Sequence, residues 1–279
     1  MTESVTVLGL GPMGQALAGA YHAAGHPTTA WTRTATRPAP AGVVRATTVA
    51  DAVTAGKTVV VCLIDYDAVR AVLEPVTAEL SGRLVVNLTS GSPDAARAMA
   101  AWAAERDISY VDGAIMTPTD TIGTPRAVIL HSGPIETDAL AALGGAQTYL
   151  GADPGRAAAF DAALLDLFWT SMVGLAHAFA LARSENIRPS ELVPFAKGIA
   201  DLLPIVIDEH GGRLEEDRHD GDYSNLVSAA AGMAHVIHTA EARGIDARVL
   251  KAAHALTRDA VDAGHGTDGI SRLTVHLAQ

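Results

Sequence analysis

The sequence is poor in the residues that build sites through covalent or metal chemistry. Its 279 residues include a single cysteine, Cys62, in the apolar run TVVVCLI. A disulfide framework within the chain and a CxxC metal pair are therefore excluded, and a buried thiol in a central strand is expected. Aromatic residues make up only 4% of the chain, so its core relies on close packing of small aliphatic side chains. Positive charge is in deficit, with a net charge of −11, which argues against nucleic acid or an anionic membrane as a partner. No uninterrupted apolar run reaches the roughly 18 residues of a membrane span. No charged segment precedes an apolar one at the N-terminus. A soluble cytoplasmic protein is the expectation. Two local absences matter more. No Asp or Glu lies between Gly14 and Asp51, and lysine occurs only at Lys57, Lys197 and Lys251.

What is present begins with VTVLGLGPMGQALAGAYHAAGH, from Val5 to His26. A short apolar strand runs into a glycine turn that opens a helix. Gly9, Gly11 and Gly14 have the spacing of a dinucleotide loop, for a tight turn, a close approach to pyrophosphate and close helix–strand packing. The loop residues Leu10, Pro12 and Met13 are expected to border the cofactor with them. The helix N-terminus offers free N–H groups and the positive end of its dipole to phosphate. About 20 residues on, where NAD-specific sites carry an acid, the strand Thr28–Trp31 runs into Thr32, Arg33, Thr34 and Arg37. Two guanidinium groups and two hydroxyls suit a 2′-phosphate, which an Asp would repel. A solvated surface arginine pair is the other reading of these residues. NADPH is the expected cofactor.

The first half alternates strand and helix patterns. Short, mostly Val-rich runs at Val5–Leu8, Thr28–Trp31, Thr58–Ile64 and Leu84–Leu88 read as buried parallel strands. Helical stretches lie at Asp65–Leu80 and Pro93–Arg106. Strand-like pieces follow at Ile108–Val111, Ala127–Ser132 and Thr148–Leu150. The prediction is an α/β fold: a doubly wound Rossmann sheet over residues 1–152. After Asp153-Pro154 comes helical periodicity for about 30 residues, roughly 45 Å of helix. It is apolar nearly all round, so it must be covered on most faces. A helical domain at 187–279 is too small to cover it alone. An intertwined homodimer with this helix, 153–186, at its centre is expected. Further helices are predicted at Pro189–Gly198, Ile199–His210, Asn225–Arg243 and Asp246–Ala263, with Asp208–Asp222 mostly a solvated loop. His210, His219, His235 and His238 match no metal-binding spacing.

Ligands of a doubly wound sheet lie beyond the carboxyl ends of its strands. That singles out Cys62, Leu63 and the residues to Asp65, then Asn87, Thr89 and Ser90, and then Asp112–Pro118 with Met116. The polar groups of Asn87, Thr89 and Ser90 either meet the nicotinamide or serve the turn before the next helix, with Ser90 or Ser92 as cap. On the long helix Asp161 stands among apolar residues, with Leu165 and Trp169 at four-residue intervals and Met172 near the same face. A carboxylate there is costly unless paired or functional. Asp166 is a rival on another face, and an acid in the first turns of a helix is also well tolerated.

Taken together, GLGPMGQALA, the W-x-R-T segment Trp31–Thr34, VVVCLIDYDAVRAVL, VVNLTSGSP, YVDGAIMTPTDTIGTP and FDAALLDLFWTSM resemble the imine reductases. These are NADPH-dependent relatives of the β-hydroxyacid dehydrogenases. Thr32 departs from the family's usual Asn. The resemblance implies a Rossmann domain, a long interdomain helix and a helical C-terminal domain swapped within a dimer. It also implies reduction of cyclic imines, or of iminium ions formed from ketone and amine. It assigns to Asp161 the acid that faces the nicotinamide and to Trp169 a neighbouring aromatic role, with Met116, Leu165 and Met172 lining the substrate pocket. A β-hydroxyacid dehydrogenase would need a lysine on the long helix, where none occurs, and its serine-glycine-glycine loop is here Ala114-Ile115-Met116-Thr117. A cofactor-binding sensor without catalysis remains a third class.

Overall fold

The computed structural model describes residues 3–278. The sheet grows from four-residue strands of β-branched side chains, β1 (Val5–Leu8), β4 (Thr58–Val61) and β5 (Leu84–Asn87), with β2 (Thr28–Trp31) beside them. A two-residue β3 (Val44–Arg45) forms one edge. β6 (Ser109–Ile115), β7 (Val128–Ser132) and β8 (Ala146–Tyr149) complete the order β3-β2-β1-β4-β5-β6-β7-β8. Pairing is parallel except between β6 and β7. The register sets Leu8, Val61, Asn87 and Asp112 side by side across the central strands. That row is where a doubly wound sheet presents its ligand site.

Helices cover both faces. α1 (Pro12–Ala23) starts behind Gly11, with Pro12 in its first turn, where no N–H is missed. α2 (Val49–Ala55) is capped by Thr48, α3 (Tyr66–Leu73) by Asp65 and α5 (Pro93–Ala104) by Ser92, each accepting a backbone N–H. The predicted helix Asp65–Leu80 is broken: Pro75 sits in a 3₁₀ turn, Glu74–Val76, before the single turn of α4 (Thr77–Leu80). One core cluster includes Val7, Leu17, Tyr21, Val60, Val86 and Ile129 on the α1 face. The other gathers Leu8, Val59, Val61, Leu73, Met99 and Trp102 on the α3 and α5 face. Each such buried side chain contributes about 1.5–3 kcal/mol.

The long helix is present. α6 spans Gly155–Ser184, 30 residues. Its start is pinned to the sheet. The Ser132 hydroxyl donates to the Pro154 carbonyl and accepts the Ala157 N–H, and Arg97 holds Asp153 through two contacts of 3.0 and 2.9 Å. One expectation about this segment needs correction. An 18-residue window of α6 has a mean hydropathy of 1.5, so by length and composition it matches a membrane span. No unbroken apolar run marks it in the sequence, because Thr, Ser, Gly and His interrupt the run without making it polar. The window is also uncovered by the chain itself: Leu167, Phe168, Val173 and Leu175 are all exposed.

The chain divides into two compact units between Leu167 and Phe168, inside α6. The second is helical: α7 (Pro189–Ala200), α8 (Leu203–Glu215), α9 (Leu226–Ala242), α10 (Arg248–Ala260) and α11 (Arg272–Leu277), with a π-turn at Val261–His265. The stretch Asp208–Asp222 is not mostly loop. α8 runs on to Glu215, and Arg213 is buried in it, bonded to Glu209 and to the Asp220 carbonyl. His219 is buried against Ser271, 2.9 Å away. Among the described residues no group of three or more His, Cys, Asp or Glu side chains is arranged to hold a metal.

Candidate active site

The glycine turn is built as its spacing implies. Gly9 sits at φ +109°, and a Cβ there would overlap the Cys62 carbonyl oxygen. A Cβ on Gly14 would overlap the Gly9 carbonyl, so only glycine lets α1 lie this close to the end of β1. Gly11 caps α1 without any side-chain hydrogen bond, leaving the helix's first N–H groups free for an anion. Leu10 is fully buried in the core and Met13 packs against it, so from these two the loop offers backbone rather than side chain to a ligand. Pro12 is exposed at the helix start.

At the end of β2, Thr32 is half-buried, and Arg33, Thr34 and Arg37 are exposed. A third arginine, which the sequence reading missed, organises them. Arg45 on β3 donates one guanidinium nitrogen to the Arg37 carbonyl and another to the Thr34 carbonyl at 3.2 Å. The Thr34–Arg37 turn is thereby held with its side chains outward. The Arg37 guanidinium lies 3.7 Å from where a Gly11 Cβ would stand, so the cationic turn borders the glycine loop. The only signal for Arg45 was its charge, since a two-residue edge strand leaves no periodicity to read. These groups fit a dinucleotide bearing a 2′-phosphate: a cradle that a Cβ would fill, free helix N–H groups, and cations with no carboxylate between.

Further along the carboxyl edge the polar residues separate into two roles. Asn87 and Thr89 are buried and consumed within the protein. The Thr89 hydroxyl accepts the Leu63 N–H at 3.0 Å, and the Asn87 side-chain oxygen accepts the Thr89 N–H at 3.2 Å. They shape the turn rather than offer free groups to a ligand. The cap of α5 is Ser92, not Ser90. Cys62 lies just beyond β4 rather than inside a strand. It is half-buried, and burial pushes its thiol up to about 11.

Ser90 is the exposed member, and it hydrogen-bonds Asp161. Asp161 is 3% exposed. Burial raises its pKa above the ordinary carboxylate value, and the Ser90 bond opposes that shift. The bond brings Asp161 of α6 to the carboxyl edge of the sheet, three residues past the end of β5. The rival Asp166 is exposed. Leu165, one turn beyond Asp161, is half-buried, and Met116 is half-buried after β6. Trp169 is exposed, edge-to-face with Phe168 at 5.2 Å, and Met172 is exposed beyond it. The acid is therefore set within the first unit, whereas Trp169 and Met172 belong to the second.

Beside Asp161 the structure shows a group the sequence reading left without a role. Asp112, at the register position of Asn87, accepts the hydroxyls of Tyr66 at 2.6 Å and Tyr110 at 2.7 Å. The Asn87 amide, 3.4 Å away, completes the set. The DG step in YVDGAI was the one available signal: an acid flanked by apolar residues inside a strand.

Residues 153–279 match the family described as NADPH-dependent reductive aminase-like, C-terminal domain, and residues 4–132 match the NAD binding domain of 6-phosphogluconate dehydrogenase. A curated NADPH-dependent reductive aminase from Aspergillus oryzae is 32% identical across 98% of this chain and 96% of its own. An imine reductase from Myxococcus stipitatus, solved with NADP+, is 36% identical, with TM-score 0.92 over 98% of this chain and 99% of that one. A reductive aminase from Aspergillus terreus, solved with NADPH and ethyl levulinate, is 32% identical, with TM-score 0.92 over 99% and 100%. The chain belongs to the imine reductase and reductive aminase family.

Proposed function

We propose, taking this family membership as premise, that the chain is an NADPH-dependent imine reductase that converts C=N bonds to amines. The observation that carries the reading is Asp161: a carboxyl group, buried yet hydrogen-bonded to Ser90, at the carboxyl edge of a dinucleotide-binding sheet. NADPH, when bound, supplies the hydride that reaches the imine carbon. The chain's own residues do the rest. Gly9, Gly11, Gly14 and the start of α1 receive the pyrophosphate, and Arg33 and Arg37, braced by Arg45, receive the 2′-phosphate. Asp161 gives a proton to a neutral imine nitrogen or steadies a nitrogen that is already cationic. A carboxylate suits positive nitrogen, whereas a carbonyl under reduction develops negative charge and needs a donor or cation. The absence of lysine from α6 counts against the hydroxyacid dehydrogenase chemistry.

The second unit supports a homodimer. Phe168, Trp169, Val173 and Leu175 of α6, with Phe195, Ile199 and Ile205, are exposed in the single chain. An apolar surface of this extent is typical of an interface between subunits. Coverage by a second copy, with helices exchanged, also accounts for the apolar window of α6 without a membrane. A cytoplasmic location goes with that reading, and recovery of the expressed protein in the membrane fraction would count against it.

The test is hydride consumption, followed at the nicotinamide absorbance, with cyclic imines of graded size and with ketone–amine pairs. Oxidation of small β-hydroxy acids serves as the contrasting arm. Asp161→Ala is expected to lose on the order of 10²–10⁴-fold in turnover while keeping its NADPH dissociation constant. Unchanged turnover would remove Asp161 from the chemistry.

A further inference from the structure

Asp112 sits where few acids are tolerated. It is 1% exposed, yet all three of its hydrogen bonds converge on one oxygen, Oδ2. Three donors aimed at one oxygen favour the anion, and burial favours the neutral acid. The groups that act most strongly on the carboxyl carry no positive charge: they are Tyr66 of α3, Tyr110 of its own strand, Asn87 of β5 and Asp161 of α6. Its partner across to β7 is the neutral Ser132, whose hydroxyl is engaged with the start of α6. The balance raises Asp112 to about 7, burial being the largest cause. The carboxyl therefore changes charge near neutrality.

Two links connect it to Asp161. The first is electrostatic: the negative charge of Asp161 adds to the rise at Asp112. The second is mechanical. The Tyr66 ring lies against Gly91, where a Cβ would overlap the ring edge, while its hydroxyl is held by Asp112. Tyr66 thus clamps the turn that carries Ser90, the hydrogen-bond partner of Asp161.

We propose that Asp112 is a positioning residue for the reaction: a second carboxyl group whose charge, coupled to Asp161 and tied to it through the Tyr66-clamped Ser90–Gly91 turn, sets how strongly the site attracts a cationic substrate. The proposal rests on the role given to Asp161 above. Below the transition the pair holds one proton more; above it the pair carries one negative charge more. A permanently charged N-alkyl iminium ion, which has no proton of its own to lose on nitrogen, reads that charge directly. Its KM is expected to fall on the order of tenfold as pH rises through about 7, with kcat changing less. Asp112→Asn is expected to make KM independent of pH over that range. Tyr66→Phe, which removes one donor to the anion while keeping the ring against Gly91, is expected to move the transition upward and covers the case in which Asp112→Asn fails to fold.

A readout without turnover separates this from the functional assignment. The infrared band of a protonated carboxyl, recorded on protein without nucleotide, is expected to disappear as pH rises through about 7 and to be missing in Asp112→Asn. If that titration is present and no imine is reduced, the function has failed, and the positioning role with it, while the charge change at Asp112 stands. If folded Asp112→Asn keeps the wild-type KM transition, or Tyr66→Phe leaves it in place, the coupling is wrong.

Discussion

The two compact units of this chain solve the burial problem in opposite ways. In the first, every central strand is covered from within, and Val7, Leu8, Val60, Val61 and Val86 are fully buried. In the second, the fully buried apolar side chains of the single chain are Leu226, Ala240 and Ala260, while Phe195, Ile199, Ile205 and Val249 stand exposed. The first unit closes its own core around the nucleotide cradle. The second leaves its apolar surface to be completed from outside. A catalytic acid belongs on the first kind of scaffold, where rotamers are locked by packing. Asp161, to which we assign that role, lies on it, six residues before the boundary between the units.

The comparison breaks most decisively if the second unit needs no partner. Val173 is 47% exposed on α6. Val173→Asp would place a charge in the proposed interface, and a buried unpaired charge costs several kcal/mol. The particle mass by light scattering is expected to fall to that of a single chain, and imine turnover with it, while the first unit still binds NADPH. A wild-type protein that is already monomeric and active would overturn the contrast.

The next two tests address the first unit. Arg33→Ala would remove the proposed charge-assisted contact to the 2′-phosphate, of about 1.5–3 kcal/mol. The expected result is a rise of roughly ten- to a hundredfold in the KM for NADPH and little change for NADH; equal rises would assign Arg33 to another part of the nucleotide. Gly14→Ala drives a methyl into the Gly9 carbonyl, and such overpacking costs about 1–3 kcal/mol. Thermal melting is expected to drop by several degrees, with nucleotide affinity falling too. A neutral Gly14→Ala would mean that the loop is looser than its packing implies.

The smallest effect is at the joint where α6 leaves the sheet. Arg97 and the Gly155 N–H hold the Asp153 carboxyl at about 2, below its ordinary value. A carboxyl with a lowered folded pKa adds stability above its unfolded value of about 3.9, and this is lost as pH falls toward the folded one. Arg97→Ala is therefore expected to be less stable than wild type at neutral pH, with the gap closing as pH drops toward about 2. A gap that widens in acid would show that the Arg97–Asp153 pair is not what joins helix to sheet.

Much of the first unit was legible because its signals are local. β1, β2 and the start of β5 lie where their short strand-like runs lie, and α6 has the predicted length because nothing in thirty residues stops it. Shorter elements escaped. β3 has two residues and α11 six, too few for a period to emerge. The tail of α8 was mistaken for loop because DEHGGRLEE is charged. Composition does not reveal that Arg213 turns inward to meet the Asp220 carbonyl. Within the site, the glycine cradle and Asp161 were readable, whereas Asn87 and Thr89 had two readings that only their hydrogen bonds could separate.

The chain's order of residues by itself determined the nucleotide loop, the cationic end of β2, the long apolar helix and the acid upon it, because each is encoded within a few turns or one strand. Tertiary structure alone decided that Tyr66, Asn87, Tyr110 and Asp112 meet at one carboxyl oxygen and that Ser90 reaches Asp161. Those groups come from different elements, and their meeting depends on strand order and register. No local pattern carries that information, because hydrogen bonds between distant segments exist only once the sheet has aligned them.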